Sequence, residues 1–216
     1  IKALTGADRV TAMSSGMAAI SGALISLVEQ GKNVVSSRHM FGNTYSLLTK
    51  TLPRFGVTTH LCDLTNLDEV RSAVDADTCC IFLEIITNPQ LEVADLAALA
   101  EIAHEHNIPL VADTTAIPFT EFNAHELGVD IEVVSTTKYL SGGATSLGGI
   151  VIDYGGFPEF ARRLHDEMLF NLGAYMTPHV AYMQNLGLEN LNARYAMQVR
   201  NTESLVNALR GLEQIK

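Results

Sequence analysis

The chain of 216 residues is 47% hydrophobic and 18% charged, which is typical of a globular protein with one substantial core and excludes a disordered chain. Its net charge of −10 and its lack of any run of Lys or Arg argue against nucleic acid or an anionic membrane as a partner. No apolar stretch in the sequence reaches the length that crosses a membrane.

The cysteines, the histidines and the first residues lead to expectations about the cell compartment, a metal site and the extent of the chain. Cys62, Cys79 and Cys80 are an odd number without metal-type spacing, so we expect reduced thiols and a cytoplasmic protein. The seven histidines form no HxxH or HExxH pair, which predicts no metal site. The sequence begins without a signal peptide and without Met, so we expect a piece of a longer chain.

Short apolar runs alternate with amphipathic helical stretches, which predicts a mostly parallel α/β sheet flanked by helices. Gly31 is expected to cap the first long helix, Pro53 to stop the second and Asn66 to start the third. After an apolar run at 9–12, strands are predicted at 33–37, 57–62, 78–86, 108–112, 131–134 and 149–152. Helices are predicted at 17–30, 45–52, 67–76, 95–106 and 158–169, and from Pro178 to the end of the chain.

Lys138 stands where an apolar strand runs into hydroxyl residues and then a glycine turn, in the sequence VVSTTKYLSGG. A lysine buried at the mouth of a strand is a better nucleophile, able to form a Schiff base with an aldehyde. Ser135 and Thr137 share one side of an extended chain and could bind a phosphate beside it. These features suit pyridoxal 5'-phosphate (PLP), although a strand end with a surface lysine and a glycine turn gives the same pattern.

The segment from Ser14 to Ala19 follows a short strand and opens a helix. Gly16 permits close approach of the backbone, and the first N–H groups of a helix are free, so this is a candidate anion site. An ordinary serine N-cap is the alternative. The sequence contains neither GxxxxGK[ST] nor GxGxxG, so the nucleotide-binding folds lack their fingerprint.

Four further residues could surround the ring of such a cofactor. Asp113 ends an apolar strand and needs a cationic partner, which a protonated pyridine nitrogen would supply. Thr115 projects the same way and could pack on one ring face, while Phe41 could stack on the other. Asn88 could donate to the phenolate oxygen. A turn-capping Asp, a core Phe and an Asn before Pro are the alternatives. Asn88, Asp113 and Lys138 each follow a predicted strand, so they could share one crevice.

Taken in order, these motifs resemble the Cys/Met-metabolism family of PLP enzymes, which includes cystathionine γ-synthase, cystathionine lyases, methionine γ-lyase and O-acetylhomoserine sulfhydrylase. The resemblance covers essentially the whole chain. It rests on the segments 14–19, 41–44, 87–89, 111–115, 135–139 and 187–191, followed by Arg194 and Asn201.

The resemblance implies the large domain of the type I (aspartate aminotransferase-like) fold over residues 1–190, with a mostly parallel seven-stranded sheet. Residues 191–216 would begin a helix that leads to a C-terminal domain. Lys138 would carry the cofactor as a Schiff base and Asp113 would pair with the pyridine nitrogen, which makes these two the catalytic residues. The implied cofactor-binding set is Ser15, Gly16, Met17, Phe41, Asn88, Asp113, Thr115, Ser135, Thr137 and Lys138.

The sequence departs from the family's pattern in three respects. Phe41 stands where the family usually has a tyrosine that stacks on PLP and assists proton transfer, so any such acid-base role must lie elsewhere. Thr114 and Ala116 replace an Asn and an aromatic residue near Asp113. The chain also lacks the family's N-terminal Tyr-x-Arg segment and the C-terminal domain with the arginine for the substrate carboxylate, so we expect an incomplete catalyst.

Residues 142–153 look more like the sulfhydrylase branch than the lyase branch. The resemblance therefore implies γ-replacement on O-acetylhomoserine with sulfide or a thiol, giving homocysteine or methionine, with Lys138 as the base that shuttles a proton. Methionine γ-lyase and cystathionine γ-synthase or lyase activities are the alternatives within the family. The resemblance also implies a homotetramer built from dimers with shared active sites. If the family resemblance is set aside, the alternative of another class is a non-catalytic α/β module that binds a phosphate ligand at Gly16.

Overall fold

A seven-stranded sheet forms the centre of the computed structural model, which describes residues 1–212, 214 and 215. The strands follow the order β1-β7-β6-β5-β4-β2-β3, and β7 runs antiparallel to both of its neighbours while the other pairs are parallel. The predicted mostly parallel seven-stranded α/β fold is confirmed. The strands are β1 (Arg9–Met13), β2 (Asn33–Ser37), β3 (Thr58–Cys62), β4 (Thr78–Glu84), β5 (Leu110–Asp113), β6 (Ile131–Val134) and β7 (Gly149–Asp153).

Helices cover both faces of the sheet. Neighbouring strand residues point to opposite faces, and Val34 and Phe82 belong to a core with α2, whereas Val35 and Ile81 belong to a core with α4 and α5. The α-helices are α1 (Lys2–Thr5), α2 (Gly16–Leu27), α3 (Gly42–Ser46), α4 (Leu67–Ala73), α5 (Leu96–Glu105), α6 (Pro158–Arg163), α7 (Pro178–Leu188) and α8 (Leu191–Arg210). Leu47–Thr51 and Leu164–Asn171 are π-helical, and Leu52–Phe55 and Ala124–Leu127 are 3₁₀-helical.

Local capping chemistry sets several helix boundaries. Asn66 starts α4 as predicted, because its side chain accepts a hydrogen bond from Glu69 N. The expected cap at Gly31 is wrong, since α2 ends at Leu27 with Val28 as its C-cap. The expected stop at Pro53 is wrong as well. This proline lies in the first turn of a 3₁₀-helix, where its missing N–H is not needed.

The C-terminal part of the described chain is the long helix α8, which is largely exposed apart from Leu191. The helix predicted to continue to the end of the chain stops at Arg210, and Glu213 and Lys216 lie outside the described residues. The break between α7 and α8 falls near residue 190, where the domain boundary stays a prediction. In the described part of the chain, no helix combines the length and the apolar character that crossing a membrane requires.

Candidate active site

A cavity of about 550 Å³ opens beyond the carboxyl ends of β4, β5 and β6, next to the start of α2. This is the edge at which parallel sheets bind ligands. Asn88, Asp113 and Lys138 line the cavity together, as the strand order requires. The other lining residues are Gly16, Met17, Ile20, Phe41, Glu84, Ile86, Thr87, Leu91, Thr115, Ala116, Ser135, Tyr139 and Gln198.

Backbone contact between distant segments fixes the start of α2 at the cavity. A Cβ atom added to Gly16 would lie 2.5 Å from Cβ of Ser135, and one added to Gly149 would lie 2.2 Å from the carbonyl oxygen of Ser15. Only glycine permits so close an approach. The first N–H groups of α2 have no acceptor within the helix, so the cavity borders the end of a helix that favours an anion.

Two predicted cofactor-binding residues, Ser15 and Thr137, are absent from the cavity lining among the described residues. Ser15 caps α2, with its hydroxyl accepting from Ala18 N at 3.0 Å. Thr137 Oγ1 accepts from Gly148 N at 3.1 Å and donates to Gly148 O. The expectation of an extended chain is wrong here, because β6 ends at Val134 and the following residues form turns. Thr137 is therefore engaged in holding the loop that carries the lysine.

Asp113 ends β5 deep in the protein, with part of its surface open to the cavity. Its Oδ1 accepts from Thr115 N at 2.9 Å, and Thr115 Oγ1 in turn accepts from Ser135 N at 2.8 Å. Burial raises the pKa of Asp113, while its hydrogen bonds with Thr115 and the positive charge of Lys138 oppose that shift. A cationic group in the cavity would keep this carboxylate ionised.

The expectation that Lys138 is buried, and therefore a better nucleophile, is wrong, because this residue is exposed. The turn after β6 presents it at the cavity, where Lys138 N donates to Ser135 O at 3.2 Å. A lysine in this position has room to react with a molecule that fills the cavity. Its candidate role therefore depends on its access to the cavity.

Several cavity residues were not identified from the sequence. Glu84 carries a signal that could have found it, since a carboxylate at the end of the most apolar strand needs partners. Tyr139 and Leu91 gave no such signal, because an aromatic or apolar residue in a loop has many ordinary roles. Gln198 comes from α8 and is one polar residue on a largely exposed helix.

A buried hydrogen-bond network lies behind Asp113. Glu132 on β6 is buried and accepts from Thr114 Oγ1 at 2.7 Å and from the hydroxyl of Tyr154. The ring of Tyr154 stacks on His125, with centroids 4.1 Å apart. Thr114, one of the departures from the family's pattern, therefore has a defined partner that fixes the residue next to Asp113.

Replacing Glu132 with Gln is expected to change how stability depends on pH. Burial raises the pKa of Glu132 above its ordinary value of 4.5. The folded state therefore binds the proton more tightly than the unfolded state, and the stability of the protein falls as pH rises through that window. The melting temperature of Glu132→Gln, relative to the unmodified protein, should thus increase from acidic to neutral pH. A constant difference across this range would contradict the expectation.

Comparison with known proteins identifies the family. The model of the family described as "Cys/Met metabolism PLP-dependent enzyme" matches residues 1–216. The chain belongs to this family. The chain spans about half of the length of the curated Cys/Met-metabolism relatives that it matches. An L-methionine gamma-lyase of Fusobacterium nucleatum is 35% identical over 212 residues, which cover 97% of this chain and 53% of that protein.

Two solved structures of this kind are similar along nearly the whole chain. An O-acetylhomoserine sulfhydrylase of Wolinella succinogenes has a TM-score of 0.90 at 41% identity, covering 99% of this chain and 67% of that one. A protein of Campylobacter jejuni has a TM-score of 0.95 at 31% identity, covering 100% of this chain and 61% of that one. Its structure contains N'-pyridoxyl-lysine-5'-monophosphate.

The residues of the cavity fit PLP, the cofactor of the family. Lys138 reaches the cavity, the carboxylate of Asp113 with its raised pKa needs a cation, and the start of α2 suits a phosphate. In the part of the chain that the structure describes, no group of three or more His, Cys, Asp or Glu side chains could hold a metal ion.

Proposed function

We propose that this chain forms the PLP-binding part of an enzyme that exchanges the γ-substituent of O-acetylhomoserine for sulfide or a thiol, giving homocysteine or methionine. The observation that carries the proposal is the cavity in which Lys138, Asp113 and the start of α2 meet. The sulfhydrylase of W. succinogenes supports the substrate class. The substrate would be a small amino acid.

The two predicted catalytic residues, Lys138 and Asp113, have distinct roles in this proposal. When bound, PLP supplies an electron sink for the charge that develops at the substrate Cα. Lys138 holds the cofactor and moves a proton between Cα and Cβ. This work falls on Lys138 because Phe41, which would stack on the ring, has no hydroxyl. Asp113 balances the charge of the pyridine nitrogen.

The remaining predicted residues bind or support the cofactor in the same proposal. Gly16 N–H, Met17 N–H and the Ser135 hydroxyl would bind the phosphate, Asn88 would contact the phenolate oxygen, and Thr115 would flank the ring. Ser15 and Thr137 act indirectly, because they fix the start of α2 and the turn that carries Lys138.

A second candidate is γ-elimination, which the L-methionine gamma-lyase of F. nucleatum supports at 35% identity. The two reactions are separated by their products. In replacement, O-acetylhomoserine and hydrogen sulfide give homocysteine and acetate. In elimination, methionine and water give a 2-oxo acid, ammonia and methanethiol.

A product assay on the PLP-loaded enzyme of which this chain forms a part tests the choice between these reactions. We expect homocysteine in a one-to-one ratio with acetate, and little 2-oxo acid when methionine is supplied alone. Efficient release of methanethiol from methionine would instead assign γ-elimination. Turnover in neither assay, with PLP bound, would contradict both candidates.

We further propose that the protein works in the cytoplasm as a homotetramer with shared active sites. Large apolar side chains that are exposed in the single chain support contact with other copies, among them Leu91, Val93, Phe170, Leu172 and Tyr175. Light scattering on the purified protein measures the assembly.

A further inference from the structure

Glu84, the last residue of β4, joins two loops of the cavity wall through one carboxylate. Its Oε1 accepts a hydrogen bond from Phe41 N at 2.7 Å, and its Oε2 accepts from Asn88 N at 3.0 Å. The residue is buried, with 7% of its surface exposed, and it lines the cavity itself. Each oxygen thus holds a different loop, and each of those loops contributes one wall of the cavity.

Both loops lack regular secondary structure where Glu84 holds them. Outside the cavity they meet a second time, because Nδ1 of His39 lies 2.8 Å from the carboxylate of Glu92. That outer pair is half-exposed, so solvent competes with it and weakens it. The inner contact through Glu84 is shielded, and it therefore has the larger influence on the distance between the loops.

The carboxylate form is needed for this double contact. Both partners of Glu84 are backbone N–H donors, and only a side chain with two acceptor oxygens can satisfy both. Burial raises the pKa of Glu84, the two backbone donors oppose that shift, and the nearby charge of Asp113 adds to it. A buried side chain whose two oxygens each accept from a different backbone N–H has a role that an amide would not fill.

We propose that Glu84 is a positioning residue that sets the separation between Phe41 and Asn88 for the flat ring of the cofactor. The inference rests on the proposed PLP site. Glu84 acts through the two loops. The structural link is direct, since the N–H groups that it binds belong to the same residues whose side chains border the cavity.

Replacing Glu84 with Gln tests the proposal, because the amide keeps the shape but can accept from only one of the two N–H groups. Amide hydrogen exchange of the cofactor-free protein should become at least about tenfold faster at Phe41 or Asn88. PLP affinity, measured by equilibrium dialysis, should fall by about tenfold or more. Glu84→Asp keeps the charge with a shorter reach, so it should release one loop in the same way and provides a second variant if the amide does not fold.

Two control variants separate this role from general stability. Asp153→Asn removes another buried carboxylate. Asp153 ends β7, which is antiparallel to β6, so it lies at the end of the strands away from the cavity, and its replacement should leave exchange at both loops unchanged. Glu92→Gln weakens the outer pair and should change exchange less than tenfold. Normal exchange and normal PLP affinity in both Glu84 variants would overturn the proposal, as would equal loop exchange in Asp153→Asn.

The outcome is independent of the substrate. Exchange is measured without cofactor, substrate or sulfide, so a failed product assay leaves the result for Glu84 unaffected. If the unmodified protein bound no PLP, the proposed function would fail. Exchange would then still show whether Glu84 holds both loops together, and unchanged exchange would overturn the inference on its own.

Discussion

Replacing Lys138 with Ala is expected to abolish covalent attachment of PLP and to lower turnover by roughly 10²- to 10⁴-fold, the range that a positioned general base contributes. Lys138 is the lysine that lines the cavity among the described residues, and Phe41 offers no hydroxyl that could take over the proton. The loss should therefore appear in both cofactor attachment and rate. Peptide mapping after borohydride reduction should place a pyridoxyl label on residue 138 of the unmodified protein and none on the variant.

Lys50→Ala is the matched control for this experiment, because Lys50 is an exposed lysine outside the cavity. It should keep both the label at Lys138 and the turnover of the unmodified protein. A label on another lysine, or turnover by Lys138→Ala close to that of the control, would contradict the proposed mechanism. A protein that takes up no label at any lysine would favour the non-catalytic binding module.

Replacing Asp113 with Asn should act in opposite directions on the empty and the loaded protein. Without cofactor, burial raises the pKa of Asp113, so its charge lowers the stability of the fold as pH rises above the ordinary range for Asp. The neutral variant escapes this effect and should melt no earlier than the unmodified protein at neutral pH. With PLP present, the variant lacks the partner of the cationic ring and should gain much less from the cofactor.

The size of the effect follows from the burial of the pair. Removing one partner of a buried ion pair costs about 3–5 kcal/mol of interaction free energy. PLP affinity and turnover should therefore fall by roughly 200- to 4,000-fold, at about 1.4 kcal/mol per factor of ten. Melting curves at several PLP concentrations measure this change, and Asp153→Asn serves as the control for loss of a buried carboxylate. An equal PLP-induced rise in melting temperature for Asp113→Asn and the unmodified protein would rule out the pairing.

The fold was predictable because parallel strands that are buried on both faces have nearly continuous apolar sequences. The apolar run at 78–86 predicted β4, although two residues too long, and the strand at 131–134 was placed with its bounds unchanged even though it contains Glu132. Helix ends were less predictable. A proline is expected to stop a helix, but at Pro53 the chain continues as a 3₁₀ turn, and the sequence alone does not distinguish these outcomes.

The position of a residue at the cavity was predictable where that residue follows a buried strand within a few positions, as for Lys138, or ends it, as for Asp113. It was not predictable where a role depends on the approach of two loops. Thr137 is engaged by Gly148, which lies across a turn, and Glu84 holds two loops that are far apart in sequence. Side-chain alternation describes a strand, and it ceased to apply one residue after β6.

The pairing of β1 with β7 has a consequence for how the protein folds. It joins Arg9–Met13 to Gly149–Asp153, so the chain must close a very long loop before the start of α2 reaches Ser135. The start of α2, which is the proposed phosphate site, can therefore reach its place only after the chain has been synthesised beyond β7. We expect PLP to slow the unfolding of the finished sheet without speeding the steps that precede this closure, since its proposed binding site does not exist before then.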